Sequence, residues 1–204
     1  MVESSKSKAA SPQRYVALLR GINLGAKNRI PMPELVTLFE QLGYTGVSTF
    51  IQSGNVLFTG TASNESELSA DISRKIEARW GFRIPVVLRT RKELGTVLAN
   101  NPFYSANNSM ASAKNPLDSK DRETRSLHVY FLRDTPADSA LASLDATRSA
   151  PDTFVVAGRD IYVNLANTMA KTKLTNAYFD SKLKTISTAR NWDTVAKLFE
   201  LLGS

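Results

Sequence analysis

The sequence contains no cysteine and a single histidine, His128. The lack of cysteine excludes disulfides, cysteine nucleophiles and thiolate metal sites, and one imidazole excludes any site that needs two. His128 lies inside the strand-like run SLHVYFL, where a half-buried or surface histidine is commoner than a catalytic one. We therefore expect no metal and no cofactor. A reducing, cytoplasmic compartment fits this composition.

Long apolar runs are also missing, since no stretch approaches the roughly 20 residues needed to span a bilayer. The N-terminal residues MVESSKSKAASPQ have no apolar central region, so they do not resemble a secretory signal. Small and polar residues cannot offset the entropy lost on ordering, which predicts a disordered tail over residues 1–13. No membrane partner is expected.

Acidic residues are in deficit: 19 Asp and Glu stand against 26 Lys and Arg, giving a net charge of +7 over 204 residues. A basic balance favours anionic partners, from nucleic acid to phosphorylated metabolites, although lysines also serve solubility alone. Hydrophobic content of 42% is ordinary for a globular protein, and the length suffices for one large core or two small ones.

The first half of the chain shows a regular order of predicted elements. Apolar runs and period-3.6 stripes predict strands at 14–20, 47–52, 55–60 and 84–90, and helices at 32–43, 64–81 and 91–100. Asn64 or Ser63 is the predicted cap of the second helix, and Thr90 with Glu93 has capping-box spacing before the third. The order β-α-β-β-α-β with a trailing helix is that of a ferredoxin-like fold.

The same order returns in the second half. Strands are predicted at 126–133 and 184–190, a glycine hairpin at 153–165, and helices at 136–146, 173–183 and 191–202. VALLR parallels VYFLR, and FIQSGNVLF parallels FVVAGRDIYV. The expected fold class is α+β, a duplication of two ferredoxin-like subdomains at 14–100 and 126–204 joined by a connecting segment at 101–125. A monomer is favoured, and the docking of the halves is left open.

Two glycine- and asparagine-rich bends should meet in the first half. RGINLGAKNR (20–29) follows the first strand, and Ser53-Gly54-Asn55 follows the second. Because the first and third strands of a split βαβ unit pair, both bends should lie on one edge of the sheet. The candidate ligand-binding residues there are Arg20, Gly21, Asn23, Gly25, Lys27, Asn28, Gln52, Ser53, Gly54 and Asn55.

Binding of an anion is the chemistry that suits this set. Glycines allow outward-turned amides, Arg20 offers a bidentate donor, and Lys27 supplies a point charge. Neither a Walker loop nor a GxGxxG motif occurs. Bracing of the turns by their own asparagines explains the composition equally well. An enzyme would need Ser53 as nucleophile with Lys27 as its base, because the loops hold no pair of carboxylates.

A second dense patch is STARNWDTVAKLFELL, near the C-terminus. Asn191 is a predicted helix N-cap, and Arg190 just before it could assist an anion, so both join the candidate ligand-binding residues. Trp192 is interpreted as a core anchor rather than a base-stacking platform.

The motifs YVALLRGINLGAKNRIPMPEL, FIQSGNVLF and KLTNAYFDSKLKTISTARNWDTVAKL together resemble an uncharacterised bacterial family, domain of unknown function 1697. The resemblance implies two ferredoxin-like subdomains and supplies no activity, substrate or cofactor. The motif residues that the resemblance carries over are the twelve candidates named above together with Lys173, Leu174, Thr188 and Trp192, which are not themselves candidate ligand-binding residues. This chain departs from the family at Lys184, where glycine is usual, and at Asp193, where asparagine is usual.

The leading hypothesis from the sequence is a protein that binds a phosphate-bearing ligand, a nucleotide or nucleic acid, at the basic glycine- and asparagine-rich bends. The alternatives are an enzyme acting on a small phosphorylated or acylated substrate in the same place, and a structural interaction module with no ligand.

Overall fold

The computed structural model describes residues 11–25, 27–61, 64–103, 126–166 and 168–203. The first half contains β1 (Gln13–Leu19), α1 (Met32–Gln41), β2 (Thr45–Phe50), β3 (Asn55–Gly60), α2 (Glu65–Trp80), β4 (Val86–Thr90) and α3 (Arg91–Ala99). The second half contains β5 (Leu127–Leu132), α4 (Asp138–Leu141), β6 (Thr153–Ala157), β7 (Asp160–Asn164), α5 (Asn176–Leu183), β8 (Ser187–Asn191) and α6 (Trp192–Leu201). The predicted tail and connecting segment fall largely outside the described residues.

The strands form two four-stranded antiparallel sheets, one in each half. Their orders are β2-β3-β1-β4 and β6-β7-β5-β8. The first, second, third and fourth strands of each half therefore occupy the same positions in the two sheets. Val16 pairs with Arg89 in the first sheet, and Val129 pairs with Arg190 in the second. The molecule is therefore a mixed α/β protein with two sheets of matching strand order.

Local signals explain where several helices begin and end. Asn64 accepts hydrogen bonds from Ser66 N and Glu67 N at the start of α2, which ends at a left-handed Gly81. Thr90 and Glu93 form the reciprocal capping box that their spacing predicted. In the described ranges, no helix has the length and apolar character needed to cross a membrane.

Three hydrophobic cores stack through the molecule. The outer face of the first sheet packs on α1 and α2, and the outer face of the second packs on α5. The middle core joins the facing strands of both sheets with α3 and α6, and includes Val16, Val129 and Trp192. Because successive side chains of a strand point to opposite faces, β1 and β5 are buried on both sides. The two halves therefore share one core.

The helix predicted over 136–146 is wrong in length, since α4 has only four residues, Asp138–Leu141, before a series of turns. Short polar side chains compete for the backbone there. Ser143 Oγ donates to Ala140 O at 2.7 Å, and Asp145 Oδ1 accepts from Thr147 N and Thr147 Oγ1 at 2.8 Å. These local bonds replace the helical ladder that the alanine content suggested.

Candidate functional site

The two bends do meet at one edge of the first sheet. Leu19 N, at the end of β1, donates to Gly54 O at 2.8 Å. Asn23 Nδ2 then donates to Gln52 O at 3.1 Å, which ties one bend directly to the other. We call residues 20–25, 27–29 and 51–55 together the first corner.

Two asparagines hold the long bend of the first corner in shape. Asn23 Nδ2 also donates to Ile30 O at 3.1 Å, while its Oδ1 accepts from Ile30 N at 2.9 Å. Asn28 Nδ2 donates to Gly21 O at 3.1 Å. Asn23 and Asn28 both adopt positive φ, at 54° and 50°, a region in which asparagine is tolerated better than most residues. Their amides are therefore used to brace the loop.

Gly54 is required by the short bend. Its φ is +85°, and a Cβ added there would lie 2.8 Å from Leu19 Cβ and 3.0 Å from the Ile22 side chain. The neighbouring Asn55 is fully buried and donates through Nδ2 to Phe50 O at 3.0 Å and Ser53 Oγ at 3.2 Å. The turn of residues 51–54 is therefore held by the close packing of Gly54 on Leu19 and by the buried side-chain amide of Asn55.

Arg190, from β8 of the other half, fills the inside of the first corner. Its Nε donates to Asn55 Oδ1 at 2.6 Å, and its Nη2 donates to Leu19 O at 2.9 Å, Gly54 O at 3.1 Å and Ser53 O at 3.3 Å. Two further bonds reach Thr188 Oγ1 and Ala189 O, within its own strand. Every acceptor is neutral. Burial lowers the pKa of Arg190 to about 10, so it remains a cation at neutral pH.

Arg20 also crosses to the second half. Its Nη1 lies 2.5 Å from Asp180 Oδ2 on α5 and donates to Ser187 O at 3.0 Å. Asp180 Oδ1 in turn accepts from Ser187 N at 2.8 Å and Ser187 Oγ at 2.6 Å. The sequence offered Arg20 as a bidentate donor to a ligand, and in the structure its guanidinium holds the two halves together.

The outer surface of the first corner is formed by other residues. Gly25, Lys27 and Gln52 are exposed, as is Arg29 beside them. Leu24 is 69% exposed and Ile51 is 50% exposed, although both are large and apolar. The corner therefore presents an exposed rim of cationic, amide and apolar side chains around a braced and cationic interior.

The second half contains a similar arrangement at the end of β5 and the start of β7, formed by Leu132, Arg159 and Asp160, which we call the second corner. Arg89, 1% exposed on β4, donates through Nη2 to Leu132 O at 2.9 Å, Arg159 O at 2.8 Å and Asp160 Oδ1 at 2.9 Å. Leu132 N donates to Arg159 O at 2.8 Å, as Leu19 N does to Gly54 O. Each half therefore contributes the arginine that fills the corner of the other. We call these contacts the first clamp (Arg190) and the second clamp (Arg89).

The clamps differ in charge. Arg89 pairs with the carboxylate of Asp160, whereas the corresponding group at the first clamp is the neutral amide of Asn55. Burial raises the pKa of Asp160, although the cation of Arg89 opposes the change. Arg159 at the second corner adds ion pairs with Glu65 and Glu93. The first clamp alone holds a buried guanidinium whose described acceptors include no carboxylate.

Comparison with known proteins agrees with this architecture. The family model described as "Protein of unknown function (DUF1697)" matches residues 13–162. The chain belongs to this family. Its fold is similar to that of the conserved bacterial protein SP0830 from Streptococcus pneumoniae, with a TM-score of 0.60 and 24% identity over 94% of this chain and 99% of that one. A search of curated proteins finds no match.

The C-terminal motif of this family member is placed at the junction of the halves. Asn191 Oδ1 accepts from Thr194 N at 2.9 Å and caps α6, as predicted. Trp192 is 5% exposed within the middle core, which agrees with its interpretation as an anchor. Arg190 lies at the first corner, a position that the sequence alone did not decide.

Sequence reasoning missed Arg89, Asp180, Leu24 and Ile51. A signal for Arg89 was available, since Arg89 directly precedes Thr90, the predicted cap of the third helix, as Arg190 directly precedes the predicted cap Asn191. Asp180 had no such signal, because it becomes Arg20's partner only when the halves dock. Across the described ranges, no group of three or more His, Asp or Glu side chains is placed to hold a metal.

Proposed function

We propose that the first corner binds a phosphate-bearing ligand, a nucleotide or nucleic acid. The observation that carries the proposal is the buried cation of Arg190, whose six bonds to described residues all go to neutral oxygens. A charge held in a poorly solvated interior is screened weakly, so its field extends to the nearby surface. An anion at the rim would supply the opposite charge that the corner lacks.

The rim has features that suit such a ligand. Lys27 and Arg29 are exposed there, and residues 20–29 contain no acid. Gly25 has a φ of +62° and nothing within 4 Å of a Cβ position, so its backbone is open to close approach. Asn23 and Asn28 fix the loop before binding, which lowers the entropy lost when a ligand is held. Exposed Leu24 and Ile51 offer apolar surface for a base or sugar.

A structural role without a ligand is the second candidate, and a specific observation favours it. Arg20, Asn23, Asn28, Asn55 and Arg190 all make hydrogen bonds inside the protein. These residues act as positioning groups under either function, so the two candidates differ only in what the exposed rim does. The enzyme alternative gains less support, because Ser53 Oγ accepts from Asn55 Nδ2 and no base is bonded to it among the described residues.

The proposal is tested by titrating the full chain with fluorescent single-stranded RNA, DNA and nucleotides over a range of salt concentration. The expected binding weakens as salt rises. The double variant Lys27→Ala with Arg29→Ala should weaken binding about tenfold or more while leaving the melting temperature unchanged, because both side chains are exposed.

Lys75→Ala is the matched control, since Lys75 is an exposed lysine on α2 outside the first corner. It should leave affinity within about twofold of the parent. Equal affinity of the rim variant and the control would count against ligand binding at this corner, and absence of saturable binding to any probe would favour the structural role.

We also infer that the chain is a duplication of two ferredoxin-like units, near 14–100 and 126–204. The matching strand orders and the reciprocal clamps support this inference. A monomer in a reducing, cytoplasmic compartment stays a prediction from composition.

A further inference from the structure

We propose that a cleft between α2 and the second half binds a small oxyanion, a phosphate or carboxylate group, in addition to the ligand of the first corner. The cleft has a volume of about 140 Å³. Its α2 wall is Ser69, Ala70 and Ser73, and Arg83 and Arg133 also line it. The volume suits a single anionic group rather than a drug-sized ligand.

An internal comparison shows what the cleft lacks. Arg20 and Arg133 follow equivalent strands, and their backbone N–H groups donate to Pro85 O at 3.0 Å and Ile186 O at 2.8 Å. The guanidinium of Arg20 crosses to the other half and meets the carboxylate of Asp180 on its helix. Arg133 correspondingly faces α2, where the residues that line the cleft include no acid. The cleft therefore lies beside Arg133 at the place that corresponds to the carboxylate of Asp180 beside Arg20.

A second difference lies on the sheet. Ser187, which donates twice to Asp180, pairs with Leu132 in its sheet. The corresponding partner of Leu19 is Val86, which lines the cleft and has no polar side chain. Both the carboxylate and its hydroxyl donor are therefore missing from this side, and space remains in their place.

The donors available in the cleft are guanidinium groups. Arg133 Nε bonds Asp134 Oδ2 at 3.0 Å, and no described residue accepts from its Nη atoms. Arg83 is exposed and has no ion pair among the described residues. The hydroxyls of Ser69 and Ser73 donate to Ser66 O and Ile84 O, so they can accept from a protonated ligand but do not drive binding. An oxyanion between Arg83 and Arg133 would bind Arg133 as the carboxylate of Asp180 binds the equivalent Arg20.

The test uses the full chain and measures melting temperature against inorganic phosphate and, separately, acetate, with chloride holding ionic strength constant. A saturable rise with one anion and not the other identifies the class of ligand. Arg83→Gln should weaken the binding of that anion about tenfold, which is the effect of losing one charge-assisted hydrogen bond. Ala70→Asp, which places a carboxylate in the cleft, should abolish the rise.

Arg74→Gln is the control, because Arg74 is an exposed arginine on the same helix that pairs with Asp71 and does not line the cleft. It should leave the anion's apparent affinity unchanged. The rim variant Lys27→Ala with Arg29→Ala separates the two proposals: it should keep the effect of the small anion even if nucleic-acid binding is lost. A rise that survives Arg83→Gln and Ala70→Asp, or no saturable rise with either anion, would overturn the proposal.

Discussion

At the scale of single residues, Arg89 and Arg190 are both buried in the protein interior and differ in what compensates them. Arg89 has the carboxylate of Asp160, whereas Arg190 has carbonyl, hydroxyl and amide oxygens. A buried cation is tolerated only when its desolvation is offset by close hydrogen bonds. Removing Arg190 would leave Leu19 O and Asn55 Oδ1 buried with fewer donors.

Arg190→Met should therefore lower the free energy of unfolding by about 3 kcal/mol or more, because several buried acceptors lose their donor together. Urea denaturation followed by circular dichroism measures this change. Arg74→Met, at an exposed arginine of α2, should stay within about 0.5 kcal/mol of the parent. A loss below about 1 kcal/mol for Arg190→Met would show that the first clamp is not structural.

The two clamps should also respond differently to pH. Arg89→Met leaves Asp160 buried without its cation, so the folded-state pKa of Asp160, already raised by burial, rises further above the ordinary value of 3.8. The folded variant then binds a proton more readily than the unfolded chain. Its stability therefore falls as pH rises from the unfolded-state pKa of Asp160 to the higher folded-state pKa. The deficit of Arg89→Met relative to the parent should shrink from pH 7 toward pH 4, while that of Arg190→Met should stay constant. Equal pH dependence of the two deficits in urea denaturation would contradict the assignment.

At the scale of elements, the two hairpins show how far sequence reasoning reached. The alternating apolar runs and the glycines at 54 and 158 predicted that both hairpins exist. The strand predicted over 47–52 ends at Phe50, however, so the first turn begins two residues earlier than expected. Their lengths differ, with residues 51–54 in the first turn and 158–159 in the second. Ile51 takes a φ of 50° in the longer turn, a conformation that no side-chain preference of isoleucine predicts. Local chemistry therefore predicted the elements, while the exposed rim depended on turn geometry.

Gly54→Ala should be much more costly than Gly25→Ala. Both glycines have positive φ, at 85° and 62°, so each substitution incurs a backbone cost of about 1–2 kcal/mol. Only at Gly54 would the new Cβ also lie 2.8 Å from Leu19 Cβ. We expect a further loss of about 1–3 kcal/mol there from the overlap. Thermal unfolding of the two variants measures the difference, and equal melting temperatures would mean that the Leu19 contact relaxes freely.

At the scale of the whole molecule, the docking of the halves decides what the candidate residues do. Composition and spacing predicted the matching strand orders, but Arg20, Arg89 and Arg190 find their partners 43 to 171 residues away in sequence, across the middle core. No local pattern encodes such contacts, because they depend on which sheet faces meet. The sequence thus identified the first corner, while the structure divided its residues into a braced interior and an exposed rim.

The shared middle core and the reciprocal clamps imply that the halves unfold together. The chain has two tryptophans, which report on different places: Trp80 packs against the outer core of the first half, and Trp192 is buried in the middle core. In Trp80→Phe the remaining fluorescence follows the middle core, and in Trp192→Phe it follows the first half. Each variant should show one urea midpoint by fluorescence that coincides with its own midpoint by far-ultraviolet circular dichroism. Suppose that Trp192→Phe kept its native Trp80 fluorescence at a urea concentration where circular dichroism shows half of the secondary structure lost. The clamps would then join two units that fold independently.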